Sequence, residues 1–319
     1  MIRMVLVVVS MLLAQVARSP AQVAMTIGAG VDPGFSTFYI AKDGGFFARH
    51  GLDVRLETGP SGSAMIAFLI QNQMQVAFGA EQAGIQNFNI DRDVVVVAEA
   101  TGLLNWNGIV GRNIADMIAL KGKRIGVARG SQSEVFWLRV LEKTQLKASD
   151  YTVVQVDPPE MIAALARGDI DAFSAWEPWI SKGLAAVPDT KVIQDQSGIM
   201  MPRLYIYANK TWVIANPQAA RAFMTSLQEA NDYIHNSPSE SAAIVFKFLR
   251  LDSALTQNLM SKLRFDLRLD DGSIENLAIA ERQLKDMNKL AKPLDWKSFV
   301  YDDLLRSVRP ESVNFRLPN

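Results

Sequence analysis

The chain contains no cysteine and only two histidines in 319 residues. Without cysteine there are no disulfides, no thiol catalysis and no thiolate metal site, and no lipid-bearing cysteine at a processing point. His50 and His235 leave little for a histidine-rich metal centre or a Ser-His-Asp triad, and each reads as a surface or helix-end residue. Net charge is also missing, with 33 Lys+Arg against 33 Asp+Glu. No broad basic face is implied, so nucleic acid is not an expected partner. No G-x-x-x-x-G-K-[ST] phosphate loop occurs. The nearest approach to G-x-G-x-x-G, Gly28-Ala-Gly30-Val-Asp-Pro-Gly34, is one residue too long and puts Pro33 where a helix should open, so dinucleotide binding is rejected. The residues call for no cofactor.

What is present begins with MIRMVLVVVSMLLAQVARSPAQVA. Arg3, an apolar run from Met4 to Leu13 and the small residues Ser19-Pro20-Ala21 follow the order of a secretory signal, and the run is short for a bilayer span. The expectation is a signal peptide over 1–21, cleaved near Ala21; an uncleaved anchor is the alternative. Loss of Arg3 and Arg18 leaves 31 basic residues against 33 acidic. A freely soluble, monomeric periplasmic protein follows. Hydrophobic residues at 49% and charged residues at 21% are ordinary for a globular chain.

From Met25 the periodicity alternates. AMTIGAG reads as a strand, Thr37 to Arg49 as a helix, LDVRLET as a strand, SGSAMIAFLIQNQ as a helix, QVAFGA as a strand, a helix from Glu81, then VVVVAEA. A second run repeats it: KRIGVARG, SQSEVFWLRVLEKTQ, YTVVQVD, PEMIAALARG and IDAFSA. Nearly continuous apolar strands between helices predict parallel sheets covered on both faces. A third block, from about Pro217, reads as mostly helical, with Pro217, Pro238 and Pro293 as helix starts or breaks. The fold class is therefore α/β: two α/β lobes, a two-segment hinge and a helical C-terminal region. Lobe 1 takes 22–104 with 206–319 and lobe 2 takes 105–205. The chain crosses near Ala100–Gly111 and Arg203–Asn209, which makes a cleft. One continuous doubly wound sheet is the alternative.

Two turns share a pattern. Pro60-Ser-Gly-Ser63 and Gly130-Ser-Gln-Ser133 each follow a strand and open a helix with Ser-x-Ser. Serine there caps backbone N–H groups, a contribution of about 1 kcal/mol. If both helix starts face one cleft, their dipoles and free N–H groups form an anion clamp, with hydroxyls of Ser61, Ser63, Ser131 and Ser133 as added donors. The stretch SAWEPW, Ser174–Trp179, places Trp176 and Glu177 at the end of a strand and Pro178 in the first turn of a helix. Trp179 reads as core and Trp176 as a ligand wall.

These segments resemble the periplasmic substrate-binding proteins of the nitrate, sulfonate and taurine ABC-transporter family. The resemblance is carried by Ala41-Lys-Asp-Gly-Gly-Phe-Phe-Ala-Arg-His-Gly-Leu-Asp-Val54, Pro60–Ser63, Leu120-Lys-Gly-Lys-Arg-Ile-Gly-Val127 with Gly130-Ser131, and Leu165-Ala-Arg-Gly-Asp-Ile-Asp-Ala172 with Trp176-Glu-Pro178. It implies a non-catalytic protein that captures a small anion and delivers it to an ABC permease and its ATPase. The implied pocket is Phe35, Ser36, Ser61, Gly62, Ser63, Glu81, Gln82, Ser131, Gln132, Ser133, Trp176 and Glu177, with Asn105 and Arg203 beside the crossings. Arg203 would pair with an oxyanion or form a salt bridge. Glu81 is at odds with an anionic ligand. Either it turns away, or the ligand also carries an amine or ring nitrogen, as taurine-like zwitterions and pyrimidine-type heterocycles do. Sulfinate desulfinases resemble the same scaffold but use a cysteine nucleophile, which this chain lacks.

Overall fold

The computed structural model describes residues 22–290 and 292–318. The expected signal peptide over 1–21 lies outside them. The first lobe opens with β1 (Val23–Ala29), β2 (Leu52–Thr58), β3 (Val76–Ala80) and β4 (Val94–Leu103). The second lobe holds β5 (Asn107–Arg112), β6 (Arg124–Val127), β7 (Thr152–Gln155), β8 (Ala172–Trp176) and β9 (Thr190–Asp195). The chain then returns with β10 (Arg203–Asn209), β11 (Leu263–Asp270) and β12 (Val313–Asn314). The first lobe's seven-stranded sheet has the order β12-β11-β4-β10-β3-β1-β2, and the second lobe's five-stranded sheet the order β7-β6-β8-β5-β9. Two separate sheets replace the alternative of a single one.

The sheets are mixed rather than parallel. β1 runs parallel to β2 and β3, but β10 is antiparallel to both β3 and β4, and β5 is antiparallel to β8 and β9. The crossings explain this. β1 and β3 end at the cleft, whereas β5 and β10 enter their sheets from it and so run the opposite way. β10 begins at Arg203, which confines the return crossing to 196–202. Gln196 stitches the two crossings together. Its buried Oε1 accepts the N–H groups of Trp106 (2.8 Å) and Asn107 (2.9 Å), and its Nε2 donates to the Leu103 carbonyl at 3.0 Å.

β4, VVVVAEATGL, is buried throughout because helices and loops cover both faces. Its one charge, Glu99, is fully buried and held by Arg203 (2.6 Å), Arg264 (2.5 Å) and the Ser273 hydroxyl (2.6 Å). A buried carboxylate needs that degree of pairing. The expected helix from Thr37 to Arg49 is two helices, Ser36–Asp43 and Phe46–Arg49, parted by Gly44 and a left-handed Gly45 (φ 74°). The third block is not wholly helical. β11, LRFDLRLD, buries Phe265, Leu267 and Leu269 in strict alternation and pairs with β4. Pro217 and Pro238 do open helices, Pro217–Asn236 and Pro238–Leu249. Among the described residues no helix is long and apolar enough to cross a membrane.

Candidate functional site

Three chain turns meet at the cleft. The first follows β1. Asp32 Oδ1 accepts the Gly34 N–H at 2.8 Å and so closes the short turn Pro33–Phe35. The Ser36 hydroxyl donates to the Pro33 carbonyl at 2.6 Å. The second turn is Ser61, the N-cap of helix Gly62–Ile70, whose hydroxyl accepts the Ala64 N–H at 3.2 Å. Gly30, Gly62 and Gly79 let these backbones close on one another. A Cβ on Gly62 would stand 2.1 Å from the Phe78 carbonyl oxygen, and one on Gly30 would stand 2.8 Å from the Gly62 nitrogen. The third turn, Ser131, caps helix Gln132–Thr144 from the second lobe.

A cavity of about 30 Å³ lies between them. The first lobe lines it with Asp32, Phe35, Ser61, Gly62 and Ser63, the second with Ser131, Gln132 and Trp176, and Trp106 closes it at a crossing. That volume holds about two water molecules. The first N–H groups of each helix have no carbonyl below them in the helix, so two positive helix ends from different lobes converge on one space. Gln132 is buried, and both atoms of its amide lack a partner among the described residues; the same holds for Asn107, paired in register with Trp176. A buried amide normally has its bonds filled, so unfilled ones mark where a ligand or water belongs.

Asp32 Oδ2 accepts the Trp176 Nε1–H at 3.0 Å, a direct hydrogen bond between lobes. Burial pushes the Asp32 carboxyl up to about 7, against the pull of the Gly34 and Trp176 N–H groups. The Tyr39 hydroxyl, which donates to the Gly30 carbonyl, is raised well above its ordinary value by burial and then by the Asp32 charge.

Of the residues expected at the pocket, Phe35, Ser61, Gly62, Ser63, Ser131, Gln132 and Trp176 come together around this cavity. The others do not line it. The Ser36 hydroxyl is spent on its own turn. Ser133, fully buried, donates to the Ser174 carbonyl at 2.5 Å and accepts the Ala128 N–H at 3.1 Å, which ties its helix to β8. Ser131 lines the cavity, but its hydroxyl proton goes to the Ala128 carbonyl at 2.7 Å. Glu81 turns away. Its Oε1 accepts the Arg203 N–H at 3.1 Å, and burial pushes its carboxyl up to about 7. The Arg203 guanidinium serves Glu99 instead of the cleft. Glu177 Oε2 accepts the Ser181 N–H at 3.0 Å, with Lys262 at 3.9 Å from Oε1. Asn105 is an exposed left-handed turn residue (φ 48°) in the crossing. Gln82 lines a different space, about 200 Å³, between helix Glu81–Ile90 and helix Gln132–Thr144.

Pro178 precedes helix Trp179–Ala186 rather than sitting in its first turn, and its bond to Glu177 is cis. Trp179 is half-buried against both cores, with Lys182 Nζ 4.7 Å from its ring centre. Sequence reasoning passed over Asp32, Trp106 and Asn107. Asp32 stood three residues before Phe35, already expected at the pocket, but a search for anion donors skips a carboxylate.

Two α/β lobes with cross-strand hinges closing on one small cavity define the bilobed periplasmic-binding-protein fold. The pattern of the family described as NMT1/THI5 like matches residues 32–241, and the chain belongs to that family. A binding protein of Brucella abortus is 27% identical over 286 residues, covering 85% of this chain and 87% of the relative. An aliphatic sulfonates-binding protein of Bacillus subtilis is 24% identical over 280 residues, covering 86% and 83%. A 4-amino-5-hydroxymethyl-2-methylpyrimidine phosphate synthase of Aspergillus parasiticus is 27% identical over 231 residues, covering 65% of each chain. Among solved structures, the alkanesulfonate-binding protein of Xanthomonas axonopodis pv. citri bound to MOPS superposes with a TM-score of 0.78 at 19% identity, over 90% of this chain and all of that one.

Proposed function

We propose that the protein is the solute receptor of an ABC importer. It captures a small organic oxyanion, of sulfonate or related type, between its lobes in the periplasm and hands it to a permease driven by an ATPase. One observation carries this reading. Two helix starts from different lobes, with the Gln132 amide that has no partner among the described residues, face one interlobe cavity that no described lysine, arginine or histidine lines. Such a site holds an oxyanion through N–H groups and helix dipoles. The aromatic walls Phe35, Trp106 and Trp176 suit an apolar or flat remainder. A site of about 30 Å³ is too small for most such solutes as it stands. Binding therefore involves opening about the crossings that Gln196 ties together, then reclosure. The reading is non-catalytic: His50 is engaged with Glu229 at 2.7 Å and His235 is exposed, so no serine of the cavity has a histidine base.

The test is a thermal-shift screen of residues 22–319 with nitrate, taurine, alkanesulfonates, aromatic sulfonates, carboxylates and pyrimidines. A ligand at 100 times its Kd stabilises by about 2.7 kcal/mol. A shift with a sulfonate or other oxyanion is the expected outcome, and a blank panel sinks the reading. A flat nitrogen heterocycle is the second reading, favoured by the tryptophan walls. It is distinguished by Trp176→Ala removing heterocycle binding while sparing alkanesulfonates.

A further inference from the structure

Among the described residues, Asp32 is the one ionisable side chain lining the ligand cavity. No cation among the described residues shares that lining. Among the described residues its oxygens receive two donors, both neutral, the Gly34 and Trp176 N–H groups at 2.8 and 3.0 Å. A buried carboxylate so placed is under-paired, since such groups ordinarily meet a cation or a fuller set of donors. A plain anion entering the same small space would meet like charge where water cannot screen it. The buried Gln132 amide, with both atoms unpartnered, lines the same cavity and marks it as a place where polar groups await a ligand.

We infer that Asp32 is the seat for a cationic nitrogen of the solute. The ligand is then a zwitterion, with an ammonium or protonated ring nitrogen on Asp32 and an oxyanion at the starts of helices Gly62–Ile70 and Gln132–Thr144. The inference rests on the oxyanion reading and sharpens it. It also gives Trp176 a second role. The carboxylate that takes the ligand's cation already binds Trp176 across the lobes, so a bound zwitterion and the closed arrangement share one anchor.

The surroundings of Asp32 leave the titration readable. Tyr39 stays protonated, because burial and the Asp32 charge raise its hydroxyl. Thr101, on β4, donates to the Gly34 carbonyl at 3.0 Å and is neutral. The helix Ser253–Ser261, packed against the Asp32 turn, carries no ionisable side chain. On the second lobe, Glu177 follows Trp176 and faces Lys262. Glu81, which follows the cavity residue Ala80, titrates near the same pH as Asp32 and must be controlled.

The experiment is titration calorimetry on residues 22–319 with matched sulfonates: taurine against 2-hydroxyethanesulfonate and ethanesulfonate, and 3-aminopropanesulfonate against propanesulfonate. Each is measured at pH 6 and pH 8, in the natural protein, in Asp32→Asn and in Glu81→Gln. The amino member of a pair binds at least tenfold tighter at pH 8. Its affinity falls about tenfold by pH 6, because it must drive a proton off the carboxyl, while the plain sulfonate shifts the opposite way. Asp32→Asn erases both the preference and the slope, and Glu81→Gln leaves them. If Asp32→Asn does not fold, the opposed slopes in the natural protein still decide the matter. Equal or tighter binding of the hydroxyl or alkyl member overturns the inference and leaves the oxyanion reading standing. No binding by any sulfonate overturns both.

Discussion

The two helix-start turns carry the same Ser-x-Ser pattern and are built by opposite means. In the first lobe, Ser61 accepts one N–H at 3.2 Å, and the turn is otherwise placed by missing side chains: Gly30, Gly62 and Gly79 bring three backbones together. In the second lobe, hydroxyls do the placing. Ser131 bonds the Ala128 carbonyl, Ser133 bonds Ser174 and Ala128, and the Ser174 hydroxyl donates back to the Ser133 carbonyl at 2.8 Å. A shared motif therefore does not imply shared donors. The second turn has its serine protons committed to the fold and offers N–H groups and the Gln132 amide. The lobes differ in titration as well, since both acids raised to about 7, Asp32 and Glu81, belong to the first.

The largest expected effect follows from that last asymmetry. An acid whose carboxyl rises from about 4 in the unfolded chain to about 7 in the folded one is protonated preferentially when folded. Each group's contribution to stability is then largest below about pH 4, falls as pH rises through 4 to 7, and is level above, by on the order of 3–4 kcal/mol per group. Denaturant melts of the ligand-free protein at pH 5 and pH 8 measure this. Asp32→Asn with Glu81→Gln should flatten the difference, and an already flat profile in the natural protein contradicts the assignment. Next in size is Ser133→Ala, which strands the buried Ala128 N–H and Ser174 carbonyl and should cost about 2–4 kcal/mol. Gly62→Ala forces a backbone shift in the first turn and should cost about 1–3 kcal/mol with loss of ligand affinity. Gly130→Ala meets open space and carries only left-handed strain (φ 74°), about 1–2 kcal/mol. If Ser133→Ala proved as mild as a surface change, the contrast between a hydroxyl-built and a glycine-built turn would collapse.

Strand and helix periodicity carried most of the first 215 residues, because buried strands such as VVVVAEA and capped helices such as SQSEVFW are local patterns. Two kinds of feature were not local. Strand direction depended on where the chain enters each sheet, so β5 and β10 reversed sense without any mark in their own residues. The direction of a side chain at a turn depended on what lay behind it. The residues left open whether Arg203 and Glu81 face the cleft or turn away, and the fold decides it: buried Glu99 takes the first and the Arg203 backbone the second. β11 was legible by alternation in LRFDLRLD and was passed over because helices surround it. Asp32 was legible as an acid in the right loop, and only its bond to Trp176 from the other lobe gives it meaning.

The smallest expected effect concerns how firmly the second turn is tied to the first lobe. Glu134 Oε2 accepts the Gly130 N–H at 2.9 Å and also meets Lys289 Nζ at 2.6 Å, so one carboxylate braces the turn and reaches across to the C-terminal segment that packs on the first lobe. Lys289 is one-third exposed, and a pair of that kind contributes under about 1 kcal/mol and weakens in salt. Lys289→Ala should leave the melting of each lobe nearly unchanged. It should loosen the closed arrangement slightly, read as a small rise in ligand dissociation rate that disappears at high salt. Glu134→Gln removes the same pair but also weakens the acceptor for Gly130, so its effect should be larger and persist in salt. Equal effects from the two would mean that Glu134 acts only across the cleft and that the second turn is held by its serines alone.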